Sequence, residues 1–295
     1  MIKKFDDYDG YFERESEFMS DLACERRRAD TTVSGVEFKK EVFDGYAWER
    51  IRITNKEGAD SIGRPIGTYD TLTLPRMDTM DDEAIEDSAN EISKELCSVF
   101  DKLEVYPERL LIAGLGNGAL TPDSIGPKTA RQVNATMHIK RFDRRMFCAL
   151  ECSEIAVVAP GVMAESGMEA ADIILGIADV IRPDAILAID SLASSSPERL
   201  GTTIQISDTG IFPGSGIGNR RRPINENFLG IPVIAIGVPT VIDSRVFLHG
   251  DSGMRKARDK SDENYMFVSP QQIDGIAEAA AKIIATGINQ AFGIL

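Results

Sequence analysis

Two aspartates stand where an open α/β sheet places its chemistry. Asp123 follows the apolar run RLLIAGLG (109–116) by a few residues, in LTPDSIGP, and Asp190 closes the run DAILAID (184–190). Sites on such sheets lie beyond the carboxyl ends of the strands, so both carboxylates could face one crevice. An acid that closes an apolar strand is in a poor place for plain structure, because an unpaired buried charge costs on the order of several kcal/mol. Asp123 has a plainer alternative as a capping or first-turn acid. Two facing carboxylates push each other's pKa and share a proton. One can then take a proton from water while the protonated partner polarises or protonates the scissile group. The pair could instead hold a divalent metal, with His138 and His249 as further ligands, although each histidine reads more simply as a packed or surface residue. A serine triad is less attractive. No G-x-S-x-G elbow occurs, and Ser191, Ser194, Ser195 and Ser196 read as turn or helix-start residues.

Glycine-rich loops flank both acids. Gly114, Gly116 and Ala119 fit G-x-G-x-x-A, but Pro122 belongs at a helix start, and the acid expected ~20 positions later at the end of a second strand is missing. A dinucleotide site is therefore not the reading. The stretch TTIQISDTGIFPGSGIGNRRR (202–222) runs from a strand into a loop with Gly210, Gly214, Gly216 and Gly218. Such glycine density permits close backbone approach and could bind an extended peptide through main-chain groups, or serve as a surface loop or oligomer contact. Gly114, Gly116, Asn117, Asp208, Gly210 and Gly214 are the substrate-binding candidates. Near the N-terminus, SDLACE (20–25) places an acid, an aliphatic residue, Ala, one residue and Glu in a row. Ser20 and Asp21 are good caps, with Glu25 near capping-box spacing, so a frayed helix start is one reading. A stretch that the protein itself cuts is the other.

The elements that position these residues follow from periodicity. AWERIRI (47–53) and TYDTLTL (68–74) alternate as strands, with NKEGADSIGRPIG between them as a loop. Apolar positions 85, 89, 92, 96, 99 and 100 form a helical stripe over 80–100. The runs 109–116, 154–161, 184–190 and 232–239 read as buried parallel strands, with helices at 126–137, 165–180 and 270–292. The fold class is α/β: a mostly parallel central sheet flanked by helices, with a small β-rich elaboration near residues 36–76. Residues 1–30 are polar and charged and read as an extension attached to a single α/β domain. Lys plus Arg is 33 against 47 Asp plus Glu, a net charge of −14 that argues against an extended nucleic-acid surface. The patches at Arg26–Arg28 and Arg220–Arg222 read as solvated or salt-bridged. The four cysteines lack zinc-site spacing and read as free buried thiols of a reducing compartment. The N-terminus lacks an apolar region of about 7–15 residues, and the apolar run at 231–242 is broken by prolines, so neither a secretory signal nor a membrane span is expected.

Several long blocks resemble the germination proteases of spore-forming bacteria: GLGNGALTPDSIGP (114–127), VVAPGVMAESGMEAADII (157–174), AIDSLASSSPERLGTTIQISDTGIFPGSGIGNRR (188–221), IPVIAIGVPTVID (231–243) and YMFVSPQQID (265–274). The family is similar in turn to hydrogenase-maturation endopeptidases, which implies that type of α/β fold. The resemblance implies a cytoplasmic endopeptidase of the forespore or spore core. It would be made as an inactive zymogen, act as a homotetramer and initiate degradation of small acid-soluble spore proteins during germination. The family's two proposed catalytic aspartates fall on Asp123 and Asp190. The substrates are cut in a motif like Thr-Glu, cut, Ile or Phe-Ala-Ser-Glu, and SDLACE is similar in kind. That implies self-cleavage between Asp21 and Leu22, releasing residues 1–21 as a propeptide and leaving 22–295 as the single protease domain. The related maturation enzymes bind nickel through acids at these two positions and a histidine that has no dependable counterpart here. No obligatory cofactor is expected, and a metal-dependent endopeptidase is the alternative. A non-catalytic nucleotide- or peptide-binding module is the alternative of another class.

Overall fold

The computed structural model describes residues 20–26, 33–215, 221–248 and 266–293. A single turn, α1 (Ala23–Arg26), precedes β1 (Val36–Phe43), β2 (Tyr46–Ile53), α2 (Lys56–Ile62) and β3 (Gly67–Thr73). Then come α3 (Asp82–Lys102), β4 (Arg109–Gly114), α4 (Ile125–Gln132), α5 (Met137–Phe142), α6 (Arg144–Leu150) and β5 (Glu154–Val158). The chain continues through α7 (Met163–Ser166), α8 (Ala170–Ile181), β6 (Ala185–Ser194), β7 (Thr203–Ser207) and α9 (Glu226–Leu229). It closes with β8 (Val233–Asp243), α10 (Arg245–Leu248), β9 (Phe267–Val268) and α11 (Ile273–Phe292).

The strands join one sheet in the order β1-β2-β3-β7-β8-β6-β4-β5, with β9 added to the end of β8. The four expected apolar runs are its parallel part, β5-β4-β6-β8. The elaboration near 36–76 is an antiparallel wing joined to this part through β7. The architecture is thus the expected α/β sheet flanked by helices, with the wing continuous with the sheet. One face is covered by α3, α4 and α11. There Ile112, Leu187 and Ile189 meet Ile92, Leu96 and Ile284, all fully buried. The other face carries Leu111, Ile186 and Ala188 against Ala171 and Ile174 of α8. Burying each such aliphatic side chain contributes about 1.5–3 kcal/mol.

Four local expectations change, the first being that the helix expected over 126–137 stops at Gln132, where Val133 turns extended, and α5 begins anew at Met137. The segment between β2 and β3 is not a loop but contains α2. Asn55 caps its start by accepting from the Gly58 amide, and Gly63 ends it at φ 68°. The helix expected over 165–180 is split at Gly167, φ 73°, into α7 and α8. Ser191 and Ser194 lie within β6, which runs four residues past Asp190 instead of turning there. Residues 1–19 of the expected propeptide lie outside the described residues, as do Gly216, Gly218 and His249.

Candidate active site

Asp123 is set by a tight backbone crossing. A Cβ on Gly114, the last residue of β4, would lie 2.1 Å from the Gly126 carbonyl oxygen. One on Gly126 would lie 2.2 Å from the Leu115 carbonyl oxygen, so the β4 end and the α4 start touch through main chain alone. Between them the chain turns at Gly116, φ +105°, where a side chain would meet the Asp123 carbonyl at 2.2 Å. Pro122 sits in a 3-10 turn, Thr121–Asp123, that leads into α4. The Asn117 amide donates to Asp123 Oδ2 at 2.8 Å. Gly114, Gly116 and Asn117 therefore hold Asp123 in place.

Asp190 shares its sheet face with Leu192, since alternate residues of a strand point the same way. It is 5% exposed, and its Oδ1 accepts from the Ser191 amide at 2.9 Å. Its carboxyl is held well above the usual range, first by burial, then by the charge of Asp123 and finally by that of Asp21. Asp123 is raised too, by burial, against the pull of the Asn117 amide. Among the described residues neither acid forms an ion pair with a basic side chain. Two carboxyls that each favour the neutral form, with one charge felt by the other, are suited to hold one proton between them.

The third charge, Asp21, belongs to SDLACE, and that stretch is neither frayed nor accessible. Ser20, Leu22 and Ala23 are at most 2% exposed. The Asp21 amide donates to the Ala193 carbonyl at 2.9 Å, and the Ala193 amide donates back to Asp21 Oδ2 at 2.9 Å. Ser215 Oγ donates to Asp21 Oδ1 at 2.6 Å, and Arg64 lies 3.4 Å from the same oxygen. Arg64 also donates to the Ser20 carbonyl at 2.8 Å. Leu22 packs into the apolar cluster on the Asp190 face of the sheet. Gln205 spans the Asp21–Leu22 bond: its Oε1 accepts from the Ala23 amide at 2.9 Å, and its Nε2 lies 3.4 Å from the Asp21 carbonyl. Glu25 accepts from Ser194 Oγ at 2.5 Å and from the Ser195 amide and hydroxyl at 2.7 and 2.8 Å, with Arg199 at 3.7 Å. A cleft of about 30 Å³, room for a water or two, opens beside Asp21, Arg64, Gln205 and Ser215.

The remaining candidates divide. Gly210, φ +72°, lines that cleft, and Gly214, φ +73°, precedes Ser215. Asp208 instead ties β7 to β3 by accepting from the Thr68 amide at 2.7 Å. His138 is exposed on α5, beside the start of edge strand β5 and away from the strand ends that carry the aspartates. Among the described residues no group of three or more His, Cys, Asp or Glu is placed to hold a metal. All four cysteines are free, but Cys97 and Cys148 are exposed, against expectation. Cys24 is half-buried, and burial pushes its thiol up to about 11. Of the basic patches, Arg221 faces Glu169 and Arg222 pairs with Asp172, as salt-bridge partners. Sequence reasoning missed Arg64, Gln205, Arg199 and Ser215. Each lies far from SDLACE along the chain, and only the sheet order β3-β7-β8-β6 brings them to it.

A family model described as Germination protease matches residues 14–252. A germination protease of Clostridium perfringens is 37% identical, covering 92% of this chain and 93% of its own. One of Caldanaerobacter subterraneus subsp. tengcongensis is 38% identical over 78% of this chain and 71% of its own. A solved [NiFe] hydrogenase maturation protease, HycI from Thermococcus kodakarensis KOD1, is 18% identical with a TM-score of 0.37, over 66% of this chain and 99% of that one.

Proposed function

The chain belongs to the germination protease family and is an endopeptidase, and from that premise we propose that it is a zymogen that cuts itself between Asp21 and Leu22. The processed enzyme then initiates degradation of small acid-soluble spore proteins during germination. It works as a homotetramer in the forespore or spore core, without direct nucleic-acid or membrane contact and without a resident cofactor. The observation that carries this reading is the seating of SDLACE on the Asp190 side of the sheet, with the Asp21 charge felt by Asp190.

In the proposed reaction the ionised member of the Asp123–Asp190 pair takes a proton from water. The hydroxide attacks the scissile carbonyl, which the protonated member polarises. The tetrahedral intermediate then collapses as a carboxyl proton passes to the departing Leu22 amine. Gln205 Nε2 stands where it can support the developing oxyanion. Asp123→Asn and Asp190→Asn should each lower cleavage of a purified spore protein by at least about 1,000-fold, with the circular dichroism spectrum unchanged. Full activity in either variant would remove the two-aspartate reading. Activity lost to a chelator and restored by a divalent ion would favour the metal-dependent alternative.

A further inference from the structure

The contacts around residues 20–25 are those of a peptide being read, and their two charged ends face different side chains. Before the bond, the Asp21 carboxylate is met by Ser215 Oγ, the Ala193 amide and Arg64, which is itself only 6% exposed. Four residues after it, the Glu25 carboxylate is met by Ser194, Ser195 and Arg199. Between them Leu22 fills an apolar cluster, and Ala23 is fully buried in the cluster of Ile51, Ile53, Ala59 and Ile62 of the wing. Gln205 holds the main chain on both sides of the bond.

We propose that Arg64 with Ser215, and Arg199 with Ser194 and Ser195, are two acid-reading subsites that select substrate in trans as they hold Asp21 and Glu25 in cis. The proposal rests on the self-cleavage reading above and adds the residues that set its specificity. These subsites assign readers to the motif that the resemblance implies: Arg64 and Ser215 to the acid before the cut bond, Arg199, Ser194 and Ser195 to the glutamate at the fourth position after it, with the clusters around Leu22 and Ala23 taking the aliphatic residue and alanine between. Charge-assisted hydrogen bonds at both ends fix the register, and a peptide shifted by one residue would bury both acids without partners. Because the own-chain stretch fills these subsites, residues 22–26 of the processed enzyme must leave before substrate enters.

A charge swap tests this in two settings. In the full-length chain, Glu25→Lys and Arg199→Glu should each slow self-processing by about 10- to 100-fold, and the double variant should recover most of the rate. In trans, processed Arg199→Glu should cleave a synthetic Ser-Asp-Leu-Ala-Cys-Glu peptide with a raised KM and prefer the version with Lys in place of Glu. Arg64→Gln, the milder change at a buried position, should raise KM for the parent peptide and not for one with Asn in place of Asp. Single variants that process and cleave like the parent enzyme would overturn the subsites while leaving the aspartate pair standing. Rescue in the full-length chain without rescue in trans would also overturn them, by making the contacts an internal latch alone. A parent enzyme that cuts neither itself nor the peptide would overturn the self-cleavage reading and this proposal with it.

Discussion

At the scale of single residues, the account turns on two acids of unequal burial. Asp190 is the more deeply buried, and its carboxyl is raised by burial and by two neighbouring charges. A raised carboxyl keeps its proton to higher pH, so the singly protonated pair persists on the acid side of Asp190's titration and is lost as pH rises through it. Self-processing should therefore run at mildly acidic pH and fall on the alkaline limb, as followed by gel densitometry across a pH series. A rate that climbs steadily into the alkaline range would contradict this. Gly116 gives a second prediction. Gly116→Ala would place a methyl 2.2 Å from the Asp123 carbonyl and 2.8 Å from its Oδ1, at a φ of +105° that alanine resists. Activity should drop by about 10- to 100-fold, since a misplacement of ~1 Å costs that much, while a thermal melt shows only modest destabilisation. Asp190 was legible as a candidate because an acid closing an apolar run is costly without a task, and Asp123 because it lies just past the carboxyl end of another such run. The subsites were not, because Arg64 and Arg199 look like any surface arginine until the sheet sets β3, β7, β8 and β6 in order.

Among the elements, the parallel strands and long helices follow directly from periodicity. The stripe at 85, 89, 92, 96, 99 and 100 is the buried face of α3, and the four apolar runs are β4, β5, β6 and β8. The short helix α2 was not legible, since its signal is only a capping Asn55 and a closing Gly63 around seven residues that include Gly58. The wing and α3 also enclose an acid pair. Arg50 meets Asp70 at 3.2 Å and Glu95 at 2.6 Å, with Lys102 at 3.8 and 3.5 Å, and neither Asp70 oxygen has a hydrogen-bond donor. Burial first, and then the charge of Glu95, push Asp70 up from 3.8 to about 7, against the pull of Arg50 and Lys102. The folded state thus holds a proton that the unfolded chain releases. The resulting stability is full below 3.8 and is lost as pH rises through about 7. Asp70→Asn should raise Tm by a few degrees at pH 8 and leave it nearly unchanged at pH 4, read by calorimetry. A larger gain at pH 4 would contradict the sign.

Across the whole molecule, SDLACE joins parts that sequence order keeps apart. Leu22 belongs to the core between the sheet and α8, Ala23 to the core of the wing, and Glu25 to the end of β6. On the proposed self-cleavage, the stretch to be cut is a packed component of the same molecule, so the cut is expected within one molecule. The rate of self-processing should be first order and independent of protein concentration over about a hundredfold range. Leu22→Ala should cost roughly 2–4 kcal/mol of stability in urea unfolding. No helix among the described residues is long and apolar enough to cross a membrane. The most direct measurement is intact-mass and N-terminal analysis of the full-length protein after incubation at mildly acidic pH, beside Asp190→Asn treated identically. The account predicts a single new N-terminus at Leu22 in the parent and an uncut chain in the variant. A first cut at any other bond, or equal cutting in Asp190→Asn, would contradict it.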